Sequence, residues 1–291
     1  PFMYDANLTS GNGEASCSSC HIFGAMDQLA WDLGNPDDHV TNNVQRNDPD
    51  FVAGGIVGID STFHPMKGPM TTQTLKGMVT HGALHWRGDR VDGFFGTVPC
   101  NDFSGGAVCD EEFSFNNVIV AFEGLVGMEG TITPAQMQKF TDFALEMTLP
   151  PNPIRNLDNS LDPGSAEEDG ETLFFNNGSD GGVTCNACHD LDPAAGFFGT
   201  AGDQTFEGEP QTFKVAHMRN MYDKIGRFNV GGDQIRGFGY LHDGSVDTVD
   251  SFISAGVFSL NNAQEQDLEQ FSHRFPTDLA PAVGQQVTLT S

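Results

Sequence analysis

The sequence contains one five-residue frame twice, as Cys17-Ser18-Ser19-Cys20-His21 and as Cys185-Asn186-Ala187-Cys188-His189. In each frame two residues separate the thiols, and a histidine follows the second thiol. At this spacing two cysteines can add across the two vinyl groups of one porphyrin while the adjoining imidazole lies beneath the iron. The frames therefore predict two covalently bound haem c groups, with His21 and His189 as proximal ligands.

Three other readings of the frames are open: half of a zinc site, a thioredoxin-like redox pair, and chance. A zinc site needs a second cysteine or histidine pair for each metal in a compact module. A thioredoxin motif follows a strand in a βαβ unit, and neither segment shows that context. The occurrence of two identical frames in similar surroundings favours haem.

The surroundings of the two frames also repeat, which predicts that one module occurs twice. Three pairs of segments correspond: 2–5 with 173–176, 74–78 with 217–221, and 84–89 with 240–245. The second module has a predicted helix before its aromatic pair, and the first would need a helical turn upstream of Pro1 to match it. The predicted fold is mainly α with long loops, in two domains related by internal duplication over 1–150 and 151–291.

Helix signals are clearest at Thr133, where a capping hydroxyl precedes Pro134 and Gln136 occupies the third helical position. Apolar residues then follow at helical spacing: Met137, Phe140, Ala144 and Met147. Further helices are predicted at 165–175, 245–255 and 262–274. The proline-rich segment 149–164 is interpreted as the interdomain linker. No alternation is long enough to predict a sheet.

Charge narrows the range of partners. The chain of 291 residues has 13 Lys and Arg against 40 Asp and Glu, a formal net charge of −27. Such a surface repels nucleic acid and anionic lipid headgroups, so neither is expected as a partner. No apolar run is long enough to span a membrane. A basic protein is the favoured partner, because its charge complements this surface.

Cys100 and Cys109 are the two thiols outside the haem frames, with eight residues between them in a glycine-rich loop. They could close a disulfide in an oxidising compartment; the alternative is a pair of unrelated buried thiols. Covalent haem attachment likewise belongs to exported proteins in bacteria. A periplasmic, extracellular or cell-surface location is therefore predicted.

The combination of the duplicated frame with FKVAHMRN at 213–220 and YLHDGS at 240–245 resembles the bacterial di-haem cytochrome c peroxidases and their MauG-like relatives. The resemblance covers nearly the whole chain. It implies two cytochrome c-like helical domains with a calcium ion between them. It also implies a peroxide site at the N-terminal haem, electron entry at the C-terminal haem, and a tryptophan between them, which would be Trp86.

The resemblance also nominates sixth iron ligands. His64 precedes Lys67-Gly68-Pro69, where the family places a removable histidine on the first haem, with His39 and His81 as alternatives. For the second haem the family uses a methionine after its His-Asp-Gly motif, and this chain has none there. The candidates are His217, Met218, Met221 and His273. The choice matters because a methionine ligand raises a haem potential relative to histidine.

Peroxide chemistry needs a distal acid and base within hydrogen-bond reach of the substrate. Glu111, Glu112 and Glu123 are available, although a glutamate in an acidic protein is commonly a solvated surface group. The resemblance implies that Arg219 lies beside the second haem, against a propionate, and Arg87 and Arg90 could do the same for the first. Oxygen ligands for calcium would come from the linker: Asn156, Asp158 and Asp162.

Together these inferences predict an exported di-haem c-type cytochrome of the peroxidase superfamily, transferring electrons between two haems and able to reduce hydrogen peroxide at the first. The alternative is a pure electron carrier, or a redox domain of a larger extracellular assembly, with both irons six-coordinate. Either role suits an acidic face that docks a basic redox partner.

Overall fold

The computed structural model describes residues 1–42, 62–79, 84–86, 111–200, 204–205, 213–219, 221–224, 239–277, 279 and 281. His81, Arg87, Arg90, Cys100 and Cys109 lie outside these residues, so the expectations about them stay predictions. The chain divides into two compact units. Unit 1 comprises Pro1–Thr148 with Ala201–Ala216, and unit 2 comprises Leu149–Thr200 with His217–Ser291.

The described α-helices of unit 1 are α1 (Ala6–Thr9), α2 (Glu111–Asn116), α3 (Val120–Gly124) and α4 (Pro134–Leu145). Helix α4 begins as the sequence predicts. The Thr133 hydroxyl accepts the Gln136 backbone N–H, and the Gln136 side chain accepts the Thr133 N–H. This capping box satisfies two N–H groups that the first turn would otherwise leave open.

Aromatic packing forms the core of unit 1. The Phe2 ring contacts Phe122 at 5.9 Å and Phe140 at 6.1 Å between centroids. Phe115 also packs against Phe140, at 5.4 Å between centroids. The segment before the first cysteine frame is thereby attached to α3 and α4, which fixes the frame against the core.

In unit 2 the described helices are α5 (Ala166–Asn176), α6 (Met221–Lys224), α7 (Val249–Ile253) and α8 (Asn262–His273). Ser165 caps α5 and Asn261 caps α8, so the helices predicted at 165–175 and 262–274 are confirmed. Phe174 of α5 packs against Phe271 at 5.3 Å and Phe275 at 5.7 Å. The segment before the second frame is thus attached to a helical core as well.

Helix α7 is shorter than the predicted 245–255. It begins after Thr248, whose hydroxyl accepts the Ser251 N–H. A bridge between Tyr240 and Val246 keeps the preceding residues extended, which prevents an earlier start.

The predicted linker lies against unit 2. Leu149 is fully buried, and the Asn152 side chain donates to the carbonyls of His273 and Phe275, both at 3.0 Å. The Arg155 guanidinium donates to the Arg274 carbonyl at 2.6 Å. These bonds hold the proline-rich segment along the end of α8.

Four antiparallel ladders of two-residue strands complete the described fold. They pair β1 (Ala30–Trp31) with β4 (Met70–Thr71), β2 (Thr41–Asn42) with β3 (Thr62–Phe63), β5 (Leu191–Asp192) with β6 (Phe197–Phe198), and β7 (Gln204–Thr205) with β8 (Phe213–Lys214). Strands of two residues are too short to produce an alternating sequence pattern. Within the described residues, no helix has the length and apolar character that crossing a bilayer requires.

Candidate haem sites

The two cysteine frames fold into the same local structure. Each begins with a 3₁₀ turn, over Cys17–Ser19 in unit 1 and Cys185–Ala187 in unit 2. In both frames the histidine N–H donates to the carbonyl of the first cysteine at 2.9 Å. The second cysteine has φ and ψ of −107° and −42° in the first frame, and −109° and −40° in the second. Each frame thus presents two thiols and an imidazole from one tight turn.

A backbone carbonyl orients each imidazole. His21 Nδ1 lies 2.8 Å from the Gln73 oxygen, and His189 Nδ1 lies 2.9 Å from the Gly199 oxygen. A carbonyl only accepts, so Nδ1 carries the proton and Nε2 keeps its lone pair. Burial lowers the pKa of His21, which favours the neutral ring. Both histidines therefore have the tautomer that an Nε2 iron ligand requires.

These two carbonyls follow equivalent hairpins. Strand β4 pairs with β1 two residues before Gln73, and β6 pairs with β5 directly before Gly199. The β5–β6 hairpin has a four-residue turn, 193–196, whereas 32–69 separates β1 from β4. The first site therefore has the same local scaffold with a long insertion, and that insertion contains His64.

The four thiols of the frames are partly buried. Burial raises the pKa of Cys17 to about 11 and also raises the pKa of Cys20 and Cys185. Cys17 packs against the core of unit 1, and Cys185 against that of unit 2. Zinc binding and dithiol exchange both use thiolates, which a raised pKa disfavours. Apolar surroundings and a neutral imidazole fit a covalent haem better than either alternative.

Trp86 is buried in unit 1, and both its indole N–H and its backbone carbonyl are hydrogen-bonded. Its indole N–H donates to the Thr71 carbonyl at 2.8 Å, and its own carbonyl accepts the Lys214 N–H at 2.8 Å. Thr71 lies two residues before Gln73, so Trp86 packs beside the segment that orients His21. The neighbouring His85 is exposed and has φ of 65°, and its charge adds to burial in lowering the pKa of His21. The sequence analysis did not select His85.

His64, predicted as the sixth ligand of the first haem, is half-buried directly after β3. Its turn is attached to the opposite arm of the insertion, because the Asn35 N–H donates to the Pro65 carbonyl at 2.8 Å. The alternative His39 is exposed, and its N–H donates to the Asp38 carboxylate at 2.7 Å. Ligation by His64 stays a prediction.

Two of the candidates for the second haem, His217 and Met218, lie on the segment that packs on Gly199. A Cβ added at Gly199 would come within 2.7 Å of the Met218 backbone nitrogen, so Met218 packs on the residue that orients His189. The Arg219 N–H donates to His217 Nδ1 at 3.1 Å, which places the remaining proton of a neutral His217 on Nε2. A residue that would hold the second iron needs an available lone pair, and the printed contacts engage Nδ1 of His217 and pack Met218 on Gly199, so ligation by either residue stays a prediction.

Met221 and His273 are the other two candidates. Met221 begins α6, and its carbonyl accepts the Tyr240 hydroxyl at 3.3 Å. His273 ends α8 in the core of unit 2, 1% exposed, with Nε2 at 3.6 Å from the Glu269 carboxylate. An imidazole at a helix C-terminus beside a carboxylate also has an ordinary structural role.

Arg219 is buried, and its guanidinium lies over the Phe198 ring at 5.1 Å from the centroid. Phe198 directly precedes Gly199, so this cation lies in the same cluster as the carbonyl partner of His189. A buried guanidinium here fits the predicted propionate contact, because a desolvated cation favours a nearby anion.

The predicted acid and base candidates lie on the helices of unit 1. Glu111 and Glu112 form the first turn of α2, and Glu123 lies exposed on α3. Glu112 accepts the Gln138 amide of α4 at 2.9 Å, which gives it a structural role between two helices. The catalytic role of these glutamates stays a prediction.

The residues suggested for calcium hydrogen-bond locally. The Asn156 amide donates to Asp162 at 2.9 Å, and the Ser160 hydroxyl donates to Asp158 at 2.6 Å. Among the residues with described placement, no group of three or more His, Cys, Asp or Glu side chains is arranged to hold a metal ion.

The sequence analysis also missed Gln73 and Gly199, which orient the proximal histidines. Their contribution is a backbone carbonyl, which every residue has, so no side-chain pattern marks them. The nearest sequence signal was the repeated segment that begins at position 74 in the first module.

Comparison with known proteins shows a shared fold. No family model matches the chain, and no curated protein matches its sequence significantly. A chain of hydrazine synthase from Kuenenia stuttgartiensis, solved under xenon pressure, matches with a TM-score of 0.58 and 16% identity, covering 94% of this chain and 85% of that chain. A MauG-like protein associated with microbial copper homeostasis matches at 17% identity over the same shares of the two chains, with a TM-score of 0.46.

Proposed function

We propose that this protein is an exported di-haem c-type cytochrome of the cytochrome c peroxidase superfamily, which transfers electrons between two covalent haems and reduces hydrogen peroxide at the N-terminal one. One observation carries the proposal. Two frames 168 residues apart fold into the same turn, and each holds its histidine with Nδ1 on a backbone carbonyl. The shared local structure also supports the proposed internal duplication.

Cys17 and Cys20 would hold the first haem through thioether bonds, with His21 as proximal ligand. Cys185, Cys188 and His189 would hold the second. When bound, each haem supplies an iron centre that accepts and releases single electrons. A periplasmic or cell-surface location follows, since covalent attachment is a modification of exported proteins.

The chain orients both imidazoles through one hydrogen bond each. A carbonyl that accepts from Nδ1 fixes the ring plane and increases electron density at Nε2. Gln73 and Gly199 are therefore positioning residues, and the hairpins β1–β4 and β5–β6 fix their distance from the histidines.

Counting haems on the purified protein tests the proposal. Co-expression with a cytochrome c maturation system should yield a red protein whose intact mass exceeds that of the polypeptide by two haems. The double variants C17A/C20A and C185A/C188A should each retain one haem. A colourless protein, or a mass equal to the bare polypeptide, would contradict the proposal.

The alternative of a pure electron carrier is favoured by one observation: the sequence has no methionine between Ser245 and Asn262, where the family places a haem ligand. Cyanide and carbon monoxide distinguish the two functions, because both need an open iron position. Uptake by the half-reduced protein together with peroxide consumption supports the enzyme. Two low-spin irons that bind neither ligand support the carrier.

A further inference from the structure

An apolar ridge lies exposed beside the first haem frame. It comprises Leu29, Trp31, Leu33 and Met66, exposed by 43%, 42%, 51% and 49%. The first three alternate along an extended segment through β1, so their side chains share one face. Met66 adjoins them, because a Cβ added at Gly34 would lie 2.7 Å from the Met66 Cα. We call these four residues the Trp31 ridge.

Hydrogen bonds connect this ridge to the segment that orients the first proximal histidine. The Asp27 carboxylate accepts the Trp31 indole N–H at 2.9 Å and the Leu29 N–H at 3.0 Å. The Leu29 carbonyl accepts the Thr72 N–H at 3.1 Å, and Thr72 directly precedes Gln73, whose carbonyl orients His21. The Trp31 ridge therefore begins at the edge of the first haem site.

The rim of the ridge is acidic. Residues 1–45 contain no lysine or arginine, and their acidic residues are Asp5, Glu14, Asp27, Asp32, Asp37 and Asp38. Asp32, Asp37 and Asp38 are exposed on the loop that continues from the ridge. Lys67 follows Met66, and the three exposed carboxylates on this loop outnumber it. An apolar centre with a rim of one charge sign is typical of a protein interface.

We propose that the Trp31 ridge is the docking surface for a cationic redox protein, whose own apolar centre is surrounded by lysines and arginines. The proposal rests on the proposed function and adds the partner and the face it binds. A second copy of this chain would bring two acidic rims together, which like-charge repulsion opposes. Nucleic acid and anionic membranes are repelled by the same charges. The site lies beside the first haem frame, so a partner bound there would approach that haem, and this surface is distinct from the electron-entry site that the resemblance implies at the C-terminal haem.

Matched double variants of the haem-loaded protein test the surface. L33S/D37N removes one ridge residue and one rim charge. L125S/E129Q makes equivalent changes elsewhere in unit 1, where Leu125 is 54% exposed and Glu129 is exposed. The probe is a cationic cytochrome c, and its Kd is measured from about 20 to about 200 mM salt. Haem content and absorption spectra are verified first.

We expect L33S/D37N to raise the Kd about fivefold, and L125S/E129Q to change it less than about twofold, since both have the same net charge. The Kd of the natural sequence should also rise with salt. Equal effects of the two double variants, a Kd independent of salt, or preferential self-association would overturn the docking surface. A haem spectrum altered in L33S/D37N would also overturn it, because the ridge would then line the cofactor. Failure of haem loading would instead contradict the proposed function.

Discussion

At His21 and His189, one hydrogen bond determines which ring nitrogen is available. A carbonyl oxygen faces Nδ1 in both, so the lone pair is on Nε2. At His217 a backbone N–H faces Nδ1 instead, and a neutral ring then carries its proton on Nε2. The backbone group beside Nδ1 therefore determines whether Nε2 of a neutral histidine carries a lone pair or a proton.

This contrast predicts the behaviour of the second haem. H217A and M218L should leave its low-spin ferric spectrum unchanged. A neutral His217 carries its proton on Nε2, and Met218 packs on Gly199, whose carbonyl orients His189. H189G should alter the spectrum, as the control that removes the proximal ligand. Electron paramagnetic resonance measures the outcome, and conversion to high spin in H217A or M218L would show that the variant residue is the sixth ligand.

At the scale of elements, helices α5 and α8 cross at Gly170. A Cβ at that position would lie 2.1 Å from the Asp267 carbonyl oxygen and 2.8 Å from the Phe271 Cβ. The absence of a side chain therefore allows the two backbones to meet, and Phe174 then reaches Phe271 and Phe275 in the core. This close approach sets the packing of the helix that leads to the second frame.

G170A should destabilise unit 2 by about 1–3 kcal/mol, because the helices must separate to admit a methyl group. G124A is the matched control, since a Cβ at Gly124 meets nothing within 4 Å. It should be neutral or slightly stabilising, as alanine favours helix over glycine. Thermal and denaturant unfolding measure both variants, and equal stability would contradict the close crossing.

The same helix pair predicts a pH dependence. Burial and the nearby charge of Asp169 raise the pKa of Asp267 above 3.8. The charged form of Asp267 is therefore disfavoured in the folded protein, and this lowers the free energy of unfolding at neutral pH. The loss of stability disappears as pH falls through the folded pKa to the unfolded pKa. D267N should raise Tm slightly at pH 7, and the gain should vanish near pH 3.8 or below.

Glu265 provides the control on the same helix. It lies in the first turn of α8, where a negative charge is stabilising, so E265Q should lower Tm slightly. Equal shifts of Tm in D267N and E265Q would indicate a general charge effect and contradict the role of Asp169.

At the scale of the whole molecule, the net charge of −27 acts on every interaction. Self-repulsion of this size destabilises a folded chain, and salt screens it over about 10 Å at 0.1 M. Tm should therefore rise between about 20 and 300 mM sodium chloride. An uncharged solute of equal osmolality serves as the control, and a Tm independent of salt would show that paired charges already offset the repulsion.

The sequence by itself determined the two haem frames, the capped helices α4, α5 and α8, and the acidic character, because each depends on local spacing, capping chemistry or composition. Only the tertiary structure decided which carbonyls orient the histidines, how α5 approaches α8, and which apolar residues remain exposed beside the segment that orients His21. The carbonyl of Gln73 reaches His21 across 52 positions. Contacts over such separations depend on how the chain returns on itself, and no local pattern encodes that path.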